Sequence, residues 1–255
     1  MEYASFSHKG LQRKSNEDYC HVHEGKQNTA FMIVADGMGG HNAGDLASKL
    51  AVEHVVAYFT NKSGELQSSE EFIQALLSSI EEANEKIFNL SQCNMQFYGM
   101  GTTFTMAVFH NKQFHVAHIG DSRCYLIRKD TVSQITRDHS LVQELLDNGS
   151  ITEDEMELHP KKNIITRALG TEDKIKVDCF EGVLKDGDIV LLCTDGLTNY
   201  VNIEESIKEL PADTAMDKLT WFLGNKALAS GGADDITIVA ARYTGKENRG
   251  EVIAG

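Results

Sequence analysis

The chain has 255 residues, 41% of them hydrophobic, enough length and apolar content to fill a sizeable core. Its 38 Asp and Glu outnumber its 24 Lys and Arg, and the formal charge of −14 repels phosphate backbones, which excludes nucleic acid as the default partner. The opening MEYASFSHKG lacks the apolar stretch of a signal peptide and no apolar run is long enough to span a bilayer, so the expectation is a soluble, cytoplasmic protein with no membrane partner.

Two weak strand signals, near Tyr3–Ser7 and Asp18–His23, precede a strong one at Ala30–Ala35. A helix begins near Gly44-Asp45 and carries Leu46, Leu50, His54, Val55 and Tyr58 on one face. A second opens on Ser68 and Glu71 at capping-box spacing and continues through Phe72, Ile73, Leu76, Leu77, Ile80, Ala83, Ile87 and Leu90 at helical period. Strands follow at Thr103–Phe109, Gln113–Ile119 and Arg123–Arg128. Asn111-Lys112 and Gly120-Asp121-Ser122 separate them at hairpin spacings, which predicts antiparallel neighbours.

The acidic TEDEME, Thr152–Glu157, reads as a solvated helix face. A strand at Asp188–Thr194 leads into helices at Asn202–Leu210 and Asp213–Ala229, the latter with Met216, Leu219, Trp221, Phe222 and Leu223 marking its buried surface, and Ile236–Tyr243 is the last strand. Helices grouped apart from hairpin-connected strands indicate an α+β protein with helices packed outside a β sandwich. With two prolines, no repeat and no linker, residues 1–243 read as one domain, followed by a weakly anchored tail, 244–255.

Cys20, Cys93, Cys124, Cys179 and Cys193 are scattered and form no CxxC pair, against a zinc site or a disulfide framework. Cys124, Cys179 and Cys193 fall in apolar strand-like runs, where a thiol is most often a small buried hydrophobe.

The chemistry gathers where strands end. In IVADGMGGHNAGDLASKLAV, Ile33–Val52, an apolar run stops at Asp36-Gly37 and a glycine-rich turn starts a helix. A dinucleotide fingerprint would need a third glycine at Asn42, so the glycines are read instead as allowing close backbone and helix approach. Asp195-Gly196 ends a second apolar run, Asp121 lies in a turn and Asp234-Asp235 precede the last strand. One Asp-Gly pair alone is ordinary turn chemistry. Four acidic sites at strand ends suggest converging carboxylates, tolerable only when protons or cations neutralise them, and all-oxygen ligands select Mg²⁺, Mn²⁺ or Ca²⁺. Without an EF-hand pattern, a binuclear Mg²⁺ or Mn²⁺ centre fits best.

Eight segments in order resemble the metal-dependent serine/threonine protein phosphatases of type 2C, the PPM family, in compact bacterial form: RKSNEDY (Arg13–Tyr19), VADGMGGHNAGDLAS (Val34–Ser48), GTT (Gly101–Thr103), HIGDSRCYLIR (His118–Arg128), TRDHSLVQELLDNGSI (Thr136–Ile151), HPKKNIITRALG (His159–Gly170), LLCTDGLTNYV (Leu191–Val201) and GGADDITIV (Gly231–Val239). The resemblance implies a four-layer αββα sandwich of two antiparallel sheets, with the metals at one edge. It implies that Asp36 bridges two ions, that Gly37 offers its carbonyl, that Asp195 and Asp234 complete the core, and that Asp18 with Glu17 assists through water. Asp121 with Asp195 resembles a third-metal position, and Arg13 a phosphate binder, for which a guanidinium is well shaped.

Mn²⁺ or Mg²⁺ would then activate water for in-line attack on phosphoserine or phosphothreonine. The partners implied are phosphorylated proteins, including a serine/threonine kinase and its substrates, with a monomer as the default state. Many eukaryotic relatives carry a histidine after the Asp-Gly pair; here it is Met38, which leaves a metal-bound water or His41 as the proton donor. The last motif usually reads Asp-Asn, and the extra acid Asp235 could tighten metal binding or add a ligand. Residues 139–170 correspond to a mobile flap, from which Arg167 could position substrate.

No Cys-x5-Arg loop, Gly-x-Ser-x-Gly elbow, P-loop or kinase set is present. The rival readings are a non-catalytic signalling module of the same fold and a phosphatase dedicated to a single partner. Asp36, Asp195 and Asp234 are all present, against the first; the sequence does not separate the second from a broadly acting enzyme.

Overall fold

The computed structural model describes residues 1–24, 29–39, 43–62 and 65–245. Two antiparallel sheets lie face to face. The first runs, in spatial order, β1 (Glu2–His8), β11 (Ile236–Arg242), β10 (Ile189–Cys193), β7 (Arg123–Arg128) and β8 (Thr131–Gln134). The second runs β2 (Asp18–Glu24), β3 (Thr29–Met38), β5 (Phe104–His110), β6 (Gln113–Ile119) and β9 (Asp178–Val183), with the two-residue β4 (Gly101–Thr102) paired to the end of β3.

The long apolar runs exist because the central strands are covered on both faces, so alternation has no polar phase. In β3, Phe31, Ile33 and Ala35 face helices while Ala30, Met32 and Val34 face the other sheet. In β10, Leu191 and Cys193 face helices while Val190 and Leu192 point between the sheets. Helices α1 (Ala43–Lys62) and α2 (Ser69–Cys93) cover the second sheet; α5 (Asp195–Thr198), α6 (Ile203–Lys208) and α7 (Met216–Ala229) cover the first. The result is the expected αββα sandwich, in which each fully buried Phe, Leu or Ile contributes about 1.5–3 kcal/mol.

Four details differ from expectation. Asn111-Lys112 does close the β5–β6 hairpin, with Asn111 at φ 54°. β6 and β7, however, belong to different sheets: at Gly120, φ 112°, the chain turns a corner against Thr103 and crosses the sandwich. Helix α1 buries Ala47, Ala51, Val52, Val55 and Phe59; Leu46, Leu50, His54 and Tyr58 form its half-buried flank. Trp221 is 63% exposed, since the buried positions of α7, Met216, Leu219, Leu223 and Ala227, define the opposite side. Cys179 is exposed because it lies on β9, an edge strand on which Cys179, Glu181 and Val183 share the exposed face.

Periodicity also missed β4, β8 and β9 and the short helix α3 (Leu141–Asp147), whereas the acidic run read as a solvated helix face does form one, α4 (Glu153–Glu157). Helix α4 is the exposed acidic run, opened by a Thr152–Glu155 capping box. The same device starts α2, where Ser68 and Glu71 cap each other's backbone. Because that cap is exposed and distant from the acidic strand ends, Ser68→Ala should cost about 1 kcal/mol in urea unfolding, with activity unchanged.

Candidate metal centre

Near the end of β3, Asp36 stands directly opposite Asp18, which opens β2, so the strand register sets two carboxylates side by side. The backbone of Asp36 is fixed three times: its N–H donates to Thr103 Oγ1 (2.9 Å), and its carbonyl accepts from Thr103 N and Thr102 Oγ1 (both 2.9 Å). Thr103 in turn meets Ser122 Oγ at 2.8 Å, joining the Asp36 strand to the turn that carries Asp121. Thr194 donates its hydroxyl to Asp18 Oδ2 (2.9 Å) and accepts from Thr237 N (3.0 Å), tying the second sheet to the first at this edge.

Both Asp-Gly pairs are there for close packing. A Cβ on Gly37 would overlap the Gly44 carbonyl at the start of α1, and a Cβ on Gly196 would overlap the Asp235 carbonyl. The start of α1 is thus pressed against the end of β3, and Ser48 of α1 donates to the Glu17 carbonyl at 2.6 Å.

Asp36, Asp18, Asp121 and Asp195 all have pKa values pushed up, first by burial and then by nearby carboxylates. Asp36 feels Asp18, Asp195, Asp121 and Asp234, so the five acids share one electrostatic site. Glu17, beside Gly44, is also raised, chiefly by burial. Asp195 Oδ2 accepts from Asn199 (2.9 Å), whereas Asp195 Oδ1 and Asp18 Oδ1 are buried oxygens without a hydrogen-bond partner.

Among the described residues no three acidic, His or Cys side chains already enclose a single point as a finished ligand cage. The donor set nevertheless fits a hard divalent cation: oxygen only, strongly anionic, and with buried lone pairs unsatisfied.

Arg13 reaches the same edge, its Nη2 2.5 Å from Asp234 Oδ1, with Asp36 and Asp235 adding to its charged environment. Asp235 does something other than the ligand role considered for it. It is 3% exposed, and its two oxygens accept from Gly10 N and Glu17 N, each at 2.8 Å. It is a clamp on the loop bearing Arg13. Arg167 is engaged at β9, with Nη1 3.3 Å from Asp178 Oδ1 and 3.2 Å from His139 Nε2. His41 lies outside the described residues. Met38 follows Gly37 on β3 and pairs with Gly101.

Thr194, Thr103, Ser122 and Asn199 were not singled out from sequence, although the first precedes one Asp-Gly pair and the second ends GTT. Between the segment 139–170 and the first sheet lies a cleft of about 800 Å³ that opens at Asp121 and Asp195 and is lined by Val142, Met156, Tyr200 and Ile203.

Residues 11–224 match the family described as protein phosphatase 2C. The chain belongs to that family. It is 42% identical over 234 residues to the serine/threonine phosphatase stp of Listeria monocytogenes serotype 4b, covering 91% of each chain. The Mycobacterium tuberculosis serine/threonine phosphatase PstP/Ppp superposes with a TM-score of 0.84 at 34% identity, covering 95% of this chain and 98% of that one. A structure of the PstP catalytic domain in complex with two manganese ions has a TM-score of 0.81 at 32% identity, with 95% and 98% coverage.

The Asp235 clamp has a measurable consequence. Asp235→Ala leaves two buried amides unpaired and should lower unfolding free energy by about 3 kcal/mol, whereas Asp235→Asn, with one acceptor, should lose roughly half of that in the same urea titration.

Proposed function

We propose that the chain is a protein serine/threonine phosphatase in which Asp36, the Gly37 carbonyl, Asp195 and Asp234 hold two Mn²⁺ or Mg²⁺ ions, Asp18 and Glu17 assist through water, and Asp121 with Asp195 takes a third. Five acids sharing one edge, with two orphaned oxygens among them, are the observation that carries this reading. Bound divalent ions supply Lewis acidity, acidifying water and drawing charge from a phosphoryl group.

The chain's own groups do the rest. Arg13 exchanges Asp234 for the substrate phosphate and offers two parallel donors to its oxygens. Asp235 holds the Arg13 loop in register, so less orientational freedom is lost when phosphate binds. Thr102 and Thr103 fix the Asp36 backbone, which keeps its carboxylate beside Asp195, Asp121 and Asp234 despite repulsion from Asp18. Met38 carries no exchangeable proton, so the acid that releases the leaving alcohol is another group. The substrates are phosphorylated proteins, among them a serine/threonine kinase and its targets.

Phosphate release from a phosphothreonine peptide tests the reading. Metal-stripped protein should be inactive and regain activity with Mn²⁺ or Mg²⁺, while Asp36→Asn should lose a factor of roughly 10³ or more. Silence of the folded parent protein under both metals would refute it. Arg13→Ala should lower kcat/KM by about 10–100-fold, with Arg13→Lys recovering only part, since an ammonium lacks the fork. Calorimetry should show Mn²⁺ raising the melting temperature, by the equivalent of about 2.7 kcal/mol at a hundredfold excess over Kd, and a much smaller rise in Asp36→Asn.

A further inference from the structure

The turn that carries Asp121 is held from outside the carboxylate cluster. His139 N donates to the Gly120 carbonyl at 2.7 Å, and Gly120 N donates back to His139 Nδ1 at 3.1 Å. A backbone N–H only donates, so Nδ1 is the bare nitrogen and the ring proton sits on Nε2, which faces both Asp178 Oδ2 on β9 and Arg167 Nη1, each at 3.2 Å. Of these two only the carboxylate accepts, so the proton goes to Asp178 and the guanidinium is a neighbour of the ring, not its donor. The ring is 6% exposed and packs against the fully buried ring of His118, centroids 4.8 Å apart. His118 is itself pinned between Thr105 Oγ1 (2.9 Å) and the Arg137 carbonyl (3.1 Å).

The same residue marks one root of the segment 139–170. Its carbonyl accepts from Thr166 N at 2.8 Å at the other root, where Ser140 also pairs with Ile165. The neighbouring Arg167 adds its guanidinium to Asp178. Three things therefore meet at one residue: the Gly120–Asp121 corner and edge strand β9 at its ring, and the two roots of the segment over the cleft at its backbone.

We propose that His139 is a positioning residue, which sets the Gly120–Asp121 corner through its paired bonds to Gly120 and couples that corner to the segment 139–170 through Asp178 and Thr166. Asp121 has no strand of its own to orient it: it lies where the chain crosses between sheets, next to a glycine at positive φ. A backbone amide free to rotate there would let the carboxylate swing. The imidazole removes that freedom, and it touches neither substrate nor reacting atoms. The inference rests on Asp121 being a ligand, as read above, but its first readout does not.

Three substitutions separate the two sides of the ring. His139→Asn keeps an acceptor near the Nδ1 position and loses the link to Asp178; His139→Gln keeps a donor towards Asp178 and loses the Gly120 acceptor; His139→Ala loses both. Amide hydrogen exchange of residues 119–122, measured on metal-free protein, should speed up about tenfold or more in the Gln and Ala variants and stay within about threefold of the parent in Asn. In the Mn²⁺-loaded enzyme the half-activating metal concentration should rise by about tenfold in Gln and Ala, and kcat should fall while KM for a phosphopeptide changes less than about twofold.

A residue that merely fills the core would speed exchange broadly and equally in all three. Unchanged exchange at 119–122 in a folded His139→Ala, or an Asn variant as fast as Ala, would overturn the proposal. Should the Ala variant not fold, the Asn and Gln pair alone decides. Faster exchange at 119–122 in a preparation whose parent is inactive under every metal would leave the corner as described and count only against the phosphatase reading.

Discussion

Everything at the active edge follows from the need to hold like charges together. Neighbouring carboxylates shielded from water repel, and burial together with that repulsion raises their pKa values as the fold makes them share a site. Such a cluster survives only where the scaffold is stiffer than the repulsion. Here the stiffness comes from strand ends, each clamped by hydroxyl or backbone bonds, with sheet register opposing Asp18 to Asp36. The site is consequently strained in free energy and rigid in geometry, which is the combination a cation-dependent hydrolase needs.

That rigidity depends on dry packing beneath. Three apolar layers, one between the sheets and one under each group of helices, set where the strands stop. Glycines then let backbone replace side chain at the two tightest contacts, Gly37 on the Gly44 carbonyl and Gly196 on the Asp235 carbonyl. The positions that bear chemistry and the positions that close the core are therefore neighbours in sequence, and neither can be altered without disturbing the other.

Much of this was legible beforehand because central strands buried on both faces leave unbroken apolar runs, and an acid at the end of such a run stands out. Asp36, Asp195 and the Asp234-Asp235 pair were found that way. Two of the four edge strands were not: β8 and β9 are short and partly exposed, and their polar residues give no clear alternation, whereas β1 and β2 left weak signals. The crossing at Gly120 looked like a hairpin because spacing alone does not say which sheet receives the next strand. Asp235 looked like an additional ligand because sequence shows a carboxylate but not the amides it accepts from. Thr103 and Thr194 carry no signal apart from the motifs they adjoin, since a hydroxyl that steadies an aspartate is indistinguishable in sequence from one that caps a turn.

The pairing of β1 with β11, Glu2 opposite Arg242, has a consequence for how the molecule comes into being. β1 gains that neighbour only once β11 is available, and closing so long a loop is slow. Asp234, just ahead of β11, arrives at the same late moment. The second sheet with its helices, drawn mostly from the first 120 residues, can form during synthesis, whereas the anionic edge is completed only once the segment that carries Asp234 and β11 has emerged.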